Sequence, residues 1–268
     1  MSTALDKIIA YKRDEVAELK QRVSLSSLQT EAEANAPPRG FIAALDKIAA
    51  TGDNALICEM KRKSPSAGEI LPGADPTVIA RQYEKGGAAC LSVLTDGPSF
   101  GGSLEDFAAI RASVSLPMLR KDFMIDPIQV VEARAHGADA ILVILSSTED
   151  ELAKELIDTA SDLSMDILVE THEASEIERA LVLTEARANC LIGINNRDLK
   201  RMVTDLAITE ALCSTLPSGL PFVSESGISE TEDIKRLRTT GARRYLIGES
   251  LMKRTDREAH TAALRTAR

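Results

Sequence analysis

Eight short apolar runs, separated by stretches with the periodicity of amphipathic helices, restrict how this chain can fold more than any other feature. They are ALICEMK from Ala55, CLSVLT from Cys90, LPMLRKDF from Leu116, ADAILVIL from Ala138, MDILVE from Met165, CLIGINN from Cys190, PFVSES from Pro221 and RRYLIG from Arg243. Val, Ile and Leu dominate, as strands buried on both faces require. Strands alternating with helices imply a parallel sheet with crossover helices, and eight strands close a barrel. The 268 residues suit such a barrel, which typically needs ~250. An open doubly wound sheet is the alternative, but its Gly-rich first turn, GxGxxG, is absent. The expectation is an α/β chain forming a single (β/α)8 TIM-barrel domain, with residues 1–52 as an N-terminal helical extension and 53–268 as the barrel.

Local signals agree with this division. From Ala4 to about Gln21, Leu5, Ile8, Ile9, Val16 and Leu19 recur near helical spacing with charges between them. A polar stretch runs to Pro37 and Pro38, and a short helix is expected from Gly40 to Ala50, stopped by Gly52. Asp126-Pro127 with Gln129, Thr148 with Glu151, and Ser229 with Glu232 resemble capping boxes. Gly86, Gly137 and Gly241 stand where helices end before the next strand.

Composition excludes several functions. A net charge of -9 opposes general attraction to nucleic acid or an acidic membrane surface, both polyanions. Aromatic content of 3% with no Trp removes the stacking platform for single strands. No apolar run is long enough to cross a bilayer, and nothing near the N-terminus reads as an export signal, so a cytoplasmic chain is expected. Cys58, Cys90, Cys190 and Cys213 lack CxxC spacing and read as reduced core thiols; His136, His172 and His260 show no metal-ligand spacing. Neither metal nor cofactor is expected.

Charged residues then interrupt the strands where they should be apolar. Strand one ends Glu59-Met60-Lys61, strand three Arg120-Lys121-Asp122-Phe123, strand five Val169-Glu170, strand six Asn195-Asn196-Arg197 and strand seven Ser224-Glu225-Ser226. Buried charge is costly, and the C-terminal ends of barrel strands are where it serves chemistry. Side chains alternate between interior and helix layer, so Glu59 and Lys61 share a face with Ile57, Lys121 and Phe123 with Leu119, and Glu170 with Leu168. If these faces look inward, two ammonium groups and three carboxylates converge on one mouth, a setting that tunes acids and bases. Any one could be an ion pair capping the barrel, but five polar strand ends at one height are hard to explain by stability, which buried charge rarely improves.

A phosphate site is the second constellation. Barrels of this kind often bind phosphate with the loops after strands seven and eight. Ser224-Glu225-Ser226-Gly227-Ile228-Ser229 and Ile247-Gly248-Glu249-Ser250 occupy those places, with Gly227 and Gly248 letting backbone N–H groups approach an anion. KRKSPSAGEI, from Lys61 to Ile70, adds a basic loop after strand one that reads as an anion-binding lid beside the mouth.

EMKRKSPSAGEI, LRKDFMID, LVETH, IGINNRDL, SESGIS and LIGESLM together resemble the indole-3-glycerol phosphate synthase family, in family order and across the chain, N-terminal extension included. The resemblance implies ring closure with decarboxylation and dehydration of 1-(2-carboxyphenylamino)-1-deoxyribulose 5-phosphate in tryptophan biosynthesis, without cofactor or metal, by an enzyme expected to be a monomer. It implies that Lys121 is the general acid that protonates the ketone oxygen and Glu170 the base of the dehydration. Lys61 would neutralise substrate anions and assist as an acid, the division of acid work between the two lysines staying open. Glu59, Asn195 and Glu225 would position and polarise the reacting groups. Ser64, Ser226, Gly227, Gly248 and Glu249 would frame the phosphate with Arg197 close by, and Phe100, Phe123 and Pro65 would pack around the anthranilate ring. Ser99 departs from the family, which often has an aromatic there. An ammonium acid works at neutral pH if desolvation pulls its pKa down from ~10.4, a shift that nearby carboxylates oppose. Two rivals stand beside this reading. One is a phosphoribosylanthranilate isomerase-like barrel using Cys58, whose parity instead directs it toward the helices; the other is a non-catalytic scaffold.

Overall fold

The structure is a computed structural model describing residues 3–185, 187–198 and 203–268. The motif IGINNRDL therefore runs, at Leu199, just outside the described residues. Eight parallel strands close into a barrel: β1 (Ala55–Met60), β2 (Cys90–Leu94), β3 (Met118–Lys121), β4 (Ala140–Ile144), β5 (Asp166–Thr171), β6 (Cys190–Asn195), β7 (Phe222–Glu225) and β8 (Arg244–Ile247). Each pairs with its sequence neighbours, and β8 pairs with β1 in the register Ile57 opposite Leu246. Among the described residues no helix is long and apolar enough to cross a membrane.

Strand parity divides the core as expected. Ile57, Leu119, Leu142, Leu168, Leu191, Val223 and Leu246 form one buried cluster inside the barrel. Leu56, Cys58, Met60, Ile141, Val169 and Ile192 belong to a second, between strands and helices. Burial of Val, Leu or Ile side chains at about 1.5–3 kcal/mol each makes either face intolerant of a register slip.

Three helices precede the barrel: α1 (Ala4–Arg22), α2 (Leu25–Ala34) and α3 (Phe41–Ala49). α2 corrects the expectation of an irregular polar stretch up to Pro37. It is capped by the Ser24 side chain and buries only Leu28 and Ala32, too few apolar positions to show a helical period. α3 buries Phe41 and Leu45 in the barrel-interior cluster. Its N-terminus is tied to β5 by Ile42 N–H donating to Asp166 Oδ2 at 2.8 Å, so it plugs the end opposite the strand C-termini.

The cap expectations divide. Asp126 caps its helix with Gln129 reciprocating, as expected. The helix starting at Asp150 has Glu149 as its N-cap instead of Thr148, whose hydroxyl donates back to Ile144 O at 2.8 Å. The helix starting at Thr231 is capped one residue later than expected, by Glu230 with Asp233. Ser229 N–H does reach the same Asp233 carboxylate, at 2.8 Å. Threonine and serine satisfy backbone groups in several turn geometries, so the sequence spacing alone does not choose one.

Helix α1 is held by charge as well as by its apolar face. Lys12 is 1% exposed, and its Nζ lies 2.8 Å from Asp122 Oδ1 and 3.0 Å from Asp96 Oδ1. Burial alone would lower the Lys12 pKa, but the two aspartates outweigh it and raise it. Tyr11 donates to Asp96 at 2.8 Å, and Asp122 is also held by Arg120 at 3.3 Å and by Thr95 at 2.6 Å. Thus Arg120 and Asp122, which flank Lys121, face the helices and clamp α1. Removing one partner of a buried pair leaves the other charge uncompensated. Lys12→Ala is therefore expected to cost about 3–5 kcal/mol of folding stability, measured by denaturant unfolding.

Candidate active site

The C-terminal strand ends surround a cavity of about 450 Å³. Glu59, Lys61, Lys121, Glu170 and Asn195 line it from β1, β3, β5 and β6, so the charges on these strands do face inward. Glu225 lies just beneath, fully buried, its Oε2 accepting from Lys121 Nζ at 3.1 Å. Ser64, Pro65, Phe100, Phe123, Arg197, Ser226, Gly227, Gly248 and Glu249 also line the cavity, and every residue singled out from the sequence is thus brought to one place.

Lys121 is the centre of the charged cluster. Its Nζ donates to Glu170 Oε2 at 2.7 Å as well as to Glu225. Burial would lower the lysine pKa, but Glu170, Glu225 and Glu59 outweigh it and raise it, so the opposition expected of nearby carboxylates decides the direction. Burial likewise pushes Glu170 up, but Lys121 and His172 hold it well below the usual carboxylate range. For Glu225 burial wins, aided by repulsion from Glu170, and its pKa is raised. One cation thus supports one firmly ionised carboxylate, and the more enclosed carboxyl tends to keep its proton.

The geometry requires glycine at Gly193: a Cβ there would stand 2.1 Å from Glu225 Oε1, so the missing side chain on β6 is the room that Glu225 occupies. Glu59 Oε1 pairs with Lys61 at 2.7 Å, and Ser92 on β2 approaches the other oxygen at 3.4 Å. Burial raises the Glu59 pKa, but Lys61 and Lys121 prevail and lower it.

At the end of β7, directly after Glu225, Ser226 and Gly227 carry consecutive positive φ values of 68° and 80°. Backbone N–H groups gathered in a turn can form an anion-binding concavity. Gly248, Glu249, Ser250 and Lys253 face the same space. Phe100 and Phe123 stand with ring centroids 6.1 Å apart, tilted by 35°, and give the cavity an aromatic wall.

The basic loop after β1 is only partly what its charge suggested. Lys61 faces the cavity, but Arg62 pairs with Asp106 and donates to Ala74 O at 3.1 Å, and Lys63 donates to Pro98 O at 2.8 Å. These two cations fasten the loop to the Phe100 segment. Arg197 donates to Ser66, joining the loop to the end of β6. Cys58 is buried on the helix side, where burial pushes its thiol pKa up, so it does not offer a thiolate to the mouth.

With this geometry in view, comparison with known proteins is decisive. The indole-3-glycerol phosphate synthase family model matches residues 5–264. The chain belongs to the indole-3-glycerol phosphate synthase family. A relative of that name from Hyphomonas neptunium is 62% identical over 268 residues, covering 100% of both chains. Another from Rhodospirillum rubrum is 49% identical, covering 96% of each. Among solved structures, tryptophan synthase subunit alpha from Legionella pneumophila superposes with a TM-score of 0.61 at 16% identity, covering 84% of this chain and 96% of that one. Thiamine phosphate pyrophosphorylase from Pyrococcus furiosus gives 0.54 at 17% identity, covering 79% and 93%. At such identities these two show the barrel alone. The family is one of carboxy-lyases of tryptophan biosynthesis.

Some residues in or beside the cavity carried little or no functional signal in the sequence. Ala4, Leu5 and Ile8 of α1 line the mouth, although their spacing signalled only an amphipathic helix. Ser92 had a weak signal, a hydroxyl at an inward position of the run CLSVLT. Ser99 lies 2.9 Å from the Tyr11 hydroxyl and so joins the Phe100 segment to α1. His172, inside LVETH, lies 3.3 Å from both Glu170 Oε1 and Glu176 Oε2.

Burial alone would lower the His172 pKa, but Glu170 and Glu176 raise it to about 10. Its folded pKa exceeds its unfolded ~6.5, so its stabilisation is complete below that value and is lost as pH rises through about 10. One imidazole is thus expected not to titrate between pH ~6 and ~8, as NMR of the C2 protons would show. By the same sign, His172→Gln is expected to be more destabilising near pH ~6 than near pH ~10.5 in denaturant titrations.

Proposed function

We propose that this chain converts 1-(2-carboxyphenylamino)-1-deoxyribulose 5-phosphate to indole-3-glycerol phosphate with loss of carbon dioxide and water. The observation that carries the reading is Lys121 held between two carboxylates in the same cavity as the Ser226–Gly227 turn and the Phe100–Phe123 wall. This substrate has an aryl carboxylate, a ketone and a phosphate. The site offers a wall for the ring, an ammonium for the ketone and backbone N–H groups with Lys253 for the phosphate.

In this reading Ser226, Gly227, Gly248 and Glu249, the last through its backbone N–H, frame the phosphate with Ser64 and Arg197 at its edge. Phe100, Phe123 and Pro65 hold the aryl ring. Lys61 meets the aryl carboxylate, and Asn195, Glu59 and Glu225 orient the sugar chain and the lysines. Lys121 gives a proton to the ketone oxygen while the ring carbon bearing the carboxylate attacks the carbonyl carbon. Carbon dioxide leaves with the C–C bonding pair returning to the ring. The new hydroxyl takes a proton from Lys61, the assisting acid, and departs as water, and Glu170 accepts the proton lost from the adjacent carbon to form the indole. The carboxylates keep Lys121 protonated and make it a weaker acid than a desolvated, unpaired lysine would be. In this reading the working unit is a monomer, and four free thiols suit the reducing cytoplasm.

Supplying this substrate and following indole fluorescence tests the proposal, with no Trp in the chain to obscure the signal. Lys121→Ala and Glu170→Gln are expected to lower kcat by at least ~100-fold while remaining folded. Near-parental turnover in Lys121→Ala would overturn the acid assignment. Gly227→Ala places a Cβ 2.7 Å from Thr204 Cγ2 at a positive φ. It is expected to raise KM by about tenfold, some 1.4 kcal/mol, with a smaller effect on kcat.

A further inference from the structure

A chain of alternating charge leads away from the mouth. Lys121 Nζ holds Glu170 Oε2 at 2.7 Å, and the other oxygen of Glu170 faces His172 Nε2 at 3.3 Å. His172 Nδ1 lies 3.3 Å from Glu176 Oε2, and that oxygen also accepts the His172 backbone N–H at 2.6 Å. Glu170 is on β5, His172 lies just beyond that strand's end, and Glu176 is in the first turn of the following helix, Ala174–Leu183. All three side chains are enclosed, being 4%, 11% and 10% exposed.

We propose that His172 is a positioning residue for Glu170: anchored to the helix through Glu176, it fixes the carboxylate oxygen that Lys121 leaves free, and so sets the orientation in which Glu170 accepts its proton. The inference rests on the reading of Glu170 as the base. Geometry supports it, because a carboxylate held only at Oε2 can still turn about its side-chain torsions. A cation at Oε1 removes that freedom. The contact at Oε1 is a proximity of charges and not an aligned hydrogen bond, so it orients the carboxylate through attraction alone. Charge supports it too. Glu170 and Glu176 adjoin the imidazole, and Lys121 and Glu225 stand beyond Glu170, so a cation between the first two carboxylates relieves a repulsion that the helix would otherwise impose on the site.

The test compares His172→Leu, His172→Gln and Glu176→Gln with Glu170→Gln, alone and combined. His172→Leu is expected to lower kcat by about 10- to 100-fold with KM within about twofold, because misplacing a reacting group acts on the transition state more than on binding. His172→Gln, whose amide can place a donor near the former Nε2, is expected to recover a large part of that loss. In the Glu170→Gln background His172→Leu is expected to cost nothing further, since there is no base left to position. Glu176→Gln is expected to lower kcat several-fold and carries the test if His172→Leu does not fold.

Parental kcat in His172→Leu beside a collapsed Glu170→Gln would overturn the inference and leave the base reading standing. An equal fractional loss in both backgrounds would make His172 merely structural and overturn it as well. Parental turnover in Glu170→Gln would remove the base reading, and this inference with it.

Discussion

The molecule is organised around a lysine ammonium enclosed at the end of β3 between two carboxylates, at 2.7 and 3.1 Å. Enclosed charge seldom improves stability, so the apolar layers beneath must carry the fold while the mouth carries the charge. The closed parallel barrel permits this separation. Its interior is filled by Ile57, Leu119, Leu142, Leu168 and their neighbours, and its far end is plugged by Phe41 and Leu45. Polar groups need enter only at the last inward position of each strand.

The same strand end serves two purposes. Lys121 points inward, and Arg120 and Asp122 point to the helices, where they meet Glu132 and Lys12. The N-terminal helix is thereby clamped at the backbone that holds the proposed acid, and its Ala4, Leu5 and Ile8 reach over the mouth. Tyr11 and Lys12 also hold Asp96, the N-cap of the short helix Gly97–Phe100, so the aromatic wall is tied to the same clamp. Ser99 contributes a hydroxyl to this tie, 2.9 Å from that of Tyr11.

Around Lys121 the two carboxyl groups diverge. Glu170, with cations on both oxygens, is stabilised as an anion; Glu225, fully buried, with its Oε1 against Gly193, is pushed toward the neutral form. Like groups with pKa values driven apart are the arrangement in which one site can supply both a proton donor and a proton acceptor.

The barrel and the core of the site were legible because period-two alternation is strict: once the strands were located, Glu59, Lys121 and Glu170 each shared a face with an apolar neighbour, and the structure turns those faces inward. Family motifs supplied the loop residues, such as Ser226 and Gly227, that parity does not reach. What stayed hidden depended on partners distant in sequence. α2 has too few apolar positions to announce itself, the Thr148 and Ser229 caps turned on local geometry, and Arg62 and Lys63 looked like anion binders until Asp106 and backbone carbonyls claimed them. Lys12 is one charge among many on an amphipathic helix, and only the approach of Asp96 and Asp122 makes it a buried tie. The sequence by itself determined the eight-stranded barrel, its family and the inward charges, since these follow from periodicity and motifs within one segment. Only the tertiary structure decided which charges pair, whether burial or a neighbour governs each pKa, and that His172 stands behind Glu170. Coulombic interaction depends on separation in space, and the segments involved meet only when the barrel closes.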